Sequence, residues 1–250
     1  MMPSRRLRCA IHQPNLFPRL STLAKLFAAD IWIALDDVQF SRRDYQHRAR
    51  LGPRDDLAAH QWMSLPVRLP RGRNTLINDV QILEPERSRR RLLRMTRQHH
   101  GRGPHWASVG EGINLVAEAM TRTDSLADIA IASTHALLDL LSWPGTVIRS
   151  SDVTAATERS ARLADLTHAV GATQYLCGTG GARYLRPTAF SERNLDVLYF
   201  SVPTGGNEYV WAGARRISSI APLSDAGGSA VRRTLMDEIS LRDQLAPTTL

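Results

Sequence analysis

The chain has 250 residues, 43% of them hydrophobic, with 32 basic side chains against 24 acidic ones and a formal net charge of +8. A chain of this length removes about 70–75% of its extended surface from water on folding and needs no disulfide or metal to do so. Its two cysteines, Cys9 and Cys177, exclude a disulfide scaffold and a cysteine-rich zinc module. No apolar run approaches the roughly 20 residues that span a bilayer, and the basic start lacks the apolar stretch of a signal peptide. A cytoplasmic globular protein with no membrane span is expected.

The positive balance favours anionic partners: phosphorylated metabolites, nucleotides or RNA. Base composition of the gene explains it better, because every basic residue except Lys25 is arginine. That exception makes Lys25 stand out as a single ammonium in a chain of guanidinium groups.

Along the chain, Leu7–His12 reads as a short buried strand running into a Gln-Pro-Asn turn. Thr22–Ala29 has helical spacing, and Ile31–Leu35 is a second apolar strand ending in Asp36-Asp37. Strand, helix and strand within about thirty residues mark a parallel βαβ unit. A polar, mainly basic connection over 41–56 precedes a strand at Gln61–Val67 and a short one around Val80–Leu83. Helices follow at Glu86–His99 and Ser125–Leu141, the latter with Thr123 and Asp124 as candidate caps. Alternation then resumes: strand Thr146–Arg149, helix Glu158–Val170 stopped by Gly171, strand Gln174–Cys177, and strand Val197–Val202. A helix and a tail are expected from Ala230 onward. Nothing marks a boundary, so residues 1–250 read as a single α/β domain with a helical insertion around 86–142. The architecture expected is an open, mostly parallel, Rossmann-like sheet with helices on both faces.

In such sheets ligands sit outside the carboxyl ends of the strands, where strand order reverses. His12-Gln13, Asp36-Asp37, Ser150-Ser151 and Gly178–Gly181 each follow an apolar strand directly, so parallel neighbours would bring all four segments to one crevice. The Pro/Asn turn entering the first helix offers free backbone N–H groups as a seat for phosphate or carboxylate. His12 can be base, acid or hydrogen-bond donor there, or a satisfied core histidine. Asn15 holds the turn. Lys25, one helical turn inward, reaches back onto an anion or lies solvated on the helix. Asp36 and Asp37 can hold Mg²⁺ or a substrate amine, or Asp37 can pair with Arg42 or Arg43. Arg42, Arg43, Arg48 and Arg50, interleaved with Tyr45, Gln46 and His47, can grip phosphate or stack on a base, or form a solvated loop. The Gly178–Gly181 turn permits close approach of a ligand to backbone amides but lacks the spacing of a dinucleotide fingerprint. Cys177 is either an activated nucleophile or a small buried hydrophobe. His99, His100 and His105 are spaced too irregularly for zinc, and no metal site is assigned.

One stretch carries a resemblance. The segment IHQPNLFPRLSTLAKLFAADIWIALDDVQF resembles the opening of the WbqC-like family, matching it at His12, Gln13, Pro14, Asn15, Phe17, Pro18, Lys25, Asp36, Asp37, Gln39 and Phe40. WMSLPV, VIRSSD and QYLCGTGGARYL fit as well, so the likeness covers about four fifths of the chain. Departures fall at Arg19–Thr22, at Gln46–Ala49, at Ser219 with Pro222, and in PTGGNEY over 203–209. The resemblance implies a role in bacterial surface-glycan, including O-antigen, or specialised-metabolite biosynthesis. Its reaction would be transfer or ligation of an acyl or aminoacyl group to an amine. His12, Lys25 and Asp37 would be its catalytic residues. Gln13, Asn15, Asp36, Gln39, Arg43, Gln46, Arg48, Ser150, Ser151, Gly178, Gly180 and Tyr184 would bind substrate. The partners would be a small-molecule amine and an anionic or activated acyl donor, aminoacyl-tRNA among the donors. Two alternatives stay open: a nucleotidyl transferase or adenylate-forming enzyme using ATP and Mg²⁺, on fold-level analogy alone, and a tRNA- or RNA-binding protein resting on the arginine-rich 41–54 and 86–102 segments.

Overall fold

Strand β1 (Arg8–His12) leads through helix α1 (Leu20–Phe27) to strand β2 (Ile31–Ala34), as the apolar spacing predicts. The computed structural model describes residues 6–54, 56, 58–181, 183–202 and 208–245. The 203–207 part of the departing PTGGNEY motif and the expected tail past Leu245 lie outside the described residues. Beyond β2 come β3 (Arg48–Leu51), β4 (Gln61–Ser64), β5 (Val67–Arg68) and β6 (Gln81–Ile82). Helices α2 (Pro85–His100), α3 (Trp106–Ala119) and α4 (Leu126–Asp139) follow. The chain then returns to the main sheet with β7 (Thr146–Arg149), α5 (Arg159–Ala169), β8 (Gln174–Gly178), α6 (Thr188–Ser191) and β9 (Asp196–Phe200). Helices α7 (Glu208–Trp211), α8 (Ile220–Ala226) and α9 (Gly228–Leu245) complete it.

The main sheet has five strands in the order β7-β2-β1-β8-β9, and all of its pairings are parallel. This is the open α/β architecture expected from the sequence. Side chains alternate across the sheet with period two, so each strand feeds two cores. Ala10, Trp32, Ala34 and Leu176 face α1 and α4 in the larger core. Cys9, Ile11, Ile33, Tyr175 and Cys177 face the second core, which α5 and α6 cover. Both faces being covered explains why β2 reads as an unbroken apolar run, IWIA, with all four residues buried.

Between β2 and β7 lies a long insertion, residues 35–145, of which the helical stretch expected over 86–142 is only part. Strand β3 was hidden in the basic connection: Ala49 and Leu51 are buried while Arg48 and Arg50 stay half-buried, and the strand pairs antiparallel with β4. The strand expected over Gln61–Val67 is two strands. Pro66 has no N–H to give a ladder, and the chain changes partner there, from β3 to β6. Helix α3 escaped the sequence reading because Gly110 and Gly112 weaken its propensity. Packing overrides them through Val109, Ile113 and Val116, which share one buried face. Helix α4 is capped by Ser125, whose side chain accepts from the Asp128 N–H, rather than by Thr123 or Asp124.

Two features fix the turn after β1. Phe17 is buried with φ +42°, a left-handed conformation that costs a bulky residue about 1–3 kcal/mol. Its N–H donates to Ser133 Oγ on α4 at 2.9 Å, which holds the turn against that strain. Replacing Ser133, itself fully buried, leaves the Phe17 N–H without a partner. Ser133→Ala should therefore lower the free energy of unfolding by about 1–3 kcal/mol in urea titration, and a loss under about 0.5 kcal/mol would show that the turn does not depend on this bond.

Candidate functional site

Strand order reverses between β1 and β8, the first and fourth strands of the main sheet along the chain. Both end at the same edge, β1 in His12 and β8 in Gly178. A cleft of about 980 Å³ opens there, a volume suited to a metabolite-sized ligand. Of the residues expected to form the site, His12, Gln13, Asn15, Lys25, Gln39, Gly178, Gly180 and Tyr184 line it. Asp36, Asp37, Arg43, Gln46, Arg48, Ser150 and Ser151 do not.

His12 is half-buried, and its Nδ1 lies 2.8 Å from the Gln13 carbonyl oxygen. A carbonyl only accepts, so Nδ1 carries the proton and Nε2 is left with its lone pair. Burial pushes the imidazole pKa down to about 3, helped by the positive charges of Lys25 and Arg19 and opposed by the Gln13 bond. The ring is thus neutral at physiological pH, a hydrogen-bond acceptor through Nε2.

Lys25 is 6% exposed, not solvated, and its Nζ donates to the Ile11 carbonyl at 3.1 Å. Burial pushes its pKa down to about 8. Gly178 lies against this side chain: a Cβ there would stand in ordinary contact, 3.5 Å from Lys25 Cδ and 3.7 Å from Nζ. In the same loop Gly181 meets the tightest packing, where a Cβ would come within 3.0 Å of Cys177 Sγ. Cys177 itself is fully buried, and burial raises its thiol pKa. It is the small core hydrophobe, not an activated nucleophile.

Gln46 acts from behind the wall. Fully buried, it accepts from the Ser41 N–H and donates Nε2 to Gln13 Oε1 at 2.8 Å. That bond occupies the Gln13 oxygen and leaves the Gln13 amide nitrogen as a donor toward the cleft.

The rim is strongly cationic. Arg19, Arg159, Arg162 and Arg215 line the cleft together with Lys25, against one carboxylate, Asp44. The sequence reading missed the rim arginines as a group because they come from three separate segments, with Arg159 and Arg162 together on α5. Arg19, a departure from the family motif, adds its charge here while stacking 4.0 Å from the Tyr45 ring centroid. Arg159 lies 5.0 Å from the ring centroid of Tyr184 at the mouth.

Three expectations change on these contacts. The backbone amides at the start of α1 are not free for an anion: Leu16 donates to Tyr45, Phe17 to Ser133 and Ser21 to Ala214. Side chains, not the helix start, supply the positive charge. Asp37 pairs with Arg162 rather than with Arg42 or Arg43. Asp36, fully buried, accepts from the Ser151 N–H at 3.1 Å and Ser151 Oγ at 3.0 Å, with Arg149 at 3.6 Å. Ser150 Oγ lies within reach of both carboxylates. The four residues tie the ends of β2 and β7 together and leave neither carboxylate uncommitted for Mg²⁺. Among the described residues no group of three or more His, Cys, Asp or Glu could hold a metal ion. Within the basic–aromatic stretch, Arg48 and Arg50 stack on the Trp62 ring, 4.2 and 4.7 Å from its centroid, while Arg42 and Arg43 are exposed. In the second arginine-rich segment, Arg87, Arg89 and Arg90 pair with Glu84 or Glu86 on the surface of α2.

The model of the WbqC-like protein family matches residues 13–210. The chain belongs to that family. It is also similar to the "Uncharacterized protein Rv1507c" of Mycobacterium tuberculosis (strain ATCC 25618 / H37Rv), at 26% identity over 235 residues that cover 86% of this chain and 92% of the relative. No solved structure matches. The matched span of this WbqC-like chain holds most of the cleft, from Gln13 to Val202, and omits His12 and Arg215 at its two ends. Among the described residues no helix is long and apolar enough to cross a membrane.

Lys25 gives this site a stability signature. Its lowered pKa means that the folded state resists the charge, a cost present in full below pH 8 and absent above 10.5. Lys25→Met should accordingly raise the free energy of unfolding by about 1–3 kcal/mol at neutral pH, with the gain fading as pH rises through that window. A variant less stable than the parent in denaturant titration at neutral pH would contradict this account.

Proposed function

We propose that the chain is a cytoplasmic biosynthetic transferase that joins an acyl or aminoacyl group from an anionic or activated donor to an amine, in surface-glycan (O-antigen included) or specialised-metabolite assembly. The observation that carries this reading is a neutral imidazole with a free Nε2 in a cleft ringed by one ammonium and four guanidinium groups. The cations fit the phosphate or carboxylate of a donor, and the buried Lys25 ammonium acts more strongly than a surface charge.

The amine lone pair attacks the acyl carbon, the new C–N bond forms and the bond to the leaving group breaks. One amine proton passes to His12 Nε2 and from there to the leaving group. An anionic donor offsets the charges of Lys25 and Arg19 that hold the imidazole pKa down, so His12 strengthens as a base once the donor is bound. The cationic rim also favours the amine as its free base over the ammonium form. Asp37 supports the site through Arg162 rather than by touching substrate.

A second reading, nucleotide transfer or adenylate formation, draws on the strand order, whose reversal lies at the cleft, and on the same cations facing a triphosphate. Donor trials separate the two. A primary amine is offered with an acyl thioester, with a carboxylic acid plus ATP and Mg²⁺, or with aminoacyl-tRNA. Amide product with one donor, falling about 10²–10⁴-fold in His12→Ala, is the expected result. Equal turnover in the variant removes His12 from the reaction, and ATP–pyrophosphate exchange without amide moves the assignment to nucleotide transfer.

A further inference from the structure

Asn15 sits three residues after His12 in the turn that closes the cleft floor, and it is 3% exposed. Its backbone carbonyl accepts from the hydroxyls of Ser133 at 3.3 Å and Thr134 at 3.0 Å, so the residue is clamped from the α4 side. Its side-chain Oδ1 is buried and has no partner among the described residues. Buried carbonyl oxygens are nearly always paired, and one left open beside a cleft calls for a donor on a ligand. The Nε2 lone pair of His12 is a second acceptor in the same cleft.

We propose that Asn15 Oδ1 and His12 Nε2 form a two-acceptor seat for a primary amine, with Asn15 the residue that selects it over alcohols and N-substituted amines. The proposal rests on the amide-forming reading and names the acceptor class within it. A free primary amine carries two N–H bonds and one lone pair. Placing one N–H on each acceptor leaves the lone pair directed away from both, toward the donor. An alcohol has one O–H, and a secondary amine one N–H, so either leaves an acceptor of the seat unpaired in the complex. A site with a buried polar group penalises the ligand that cannot satisfy it far more than it penalises a missing methylene.

The seat is tested by binding alone, with no acyl donor present. O-benzylhydroxylamine is a primary amine that stays neutral at neutral pH. It is compared with its N-methyl derivative and with benzyl alcohol by ligand-observed NMR titration. Wild-type protein should bind the primary amine at least about tenfold more tightly than either analogue. In Asn15→Leu, similar in volume but without an acceptor, the three affinities should fall within about twofold of one another. Asn15→Asp keeps an acceptor and should keep the preference. If Asn15→Leu does not fold, Asn15→Ala takes its place. Equal affinities in the wild type, no binding of the primary amine, or a preference that survives loss of the acceptor would each overturn the seat. An Asn15-dependent preference without amide synthesis from any donor keeps the seat and rejects the acyl-transfer reading. Amide synthesis without the preference does the reverse.

Discussion

Holding one ammonium out of water at the carboxyl end of a parallel sheet is the constraint around which this molecule is arranged. Among the described residues, Lys25 gives a single hydrogen bond, to a peptide carbonyl, and has no carboxylate beside it, so its charge is poorly compensated there. The surroundings follow from that. The nearby imidazole stays neutral, first because it is buried and then because a second positive charge beside Lys25 is unfavourable. The rim arginines add to the field instead of relieving it. Under the proposed function, that concentration of like charge is what receives the anionic group of the donor.

Carboxylates are spent elsewhere. Asp36 and Asp37 stand at the end of β2, one strand away from the reversal, and there they bind hydroxyls and guanidinium groups that lash β2 to β7. Arg162 has a place in both systems, pairing with Asp37 while lining the cleft. Edge cohesion and cleft charge are thereby coupled through one side chain.

Much of the main sheet was legible because buried parallel strands leave continuous apolar runs, and β1, β2, β7 and β8 each carry one. Polar residues placed just after such runs marked His12, Gln13 and Gly178 as neighbours before any geometry was known. The same rule gathered Asp36, Asp37, Ser150 and Ser151, which do converge, but on one another. Sequence position gives the end of a strand, not which way a side chain turns there. The two halves of 61–68 and the helix after Pro104 were illegible for a different reason: their form is decided by partners outside the segment itself, β3 and β6 for the strands and α2, α4 and α8 for the helix. The arginine rim was invisible as a unit because Arg19 and Arg215 lie far along the chain from the Arg159 and Arg162 pair on α5.

The central position of β1 has a consequence for how the molecule is made. Arg8 meets Gln174 across 166 positions, so the strand that begins the motif cannot acquire its second neighbour until most of the chain has been synthesised. Until then the parallel β1–α1–β2 unit has one flank of β1 unpaired, an edge open to association with other chains. Docking of β8 ends that exposure and creates the cleft in the same event. The cleft is therefore complete only late in translation, once the segments from α5 onward have joined the sheet.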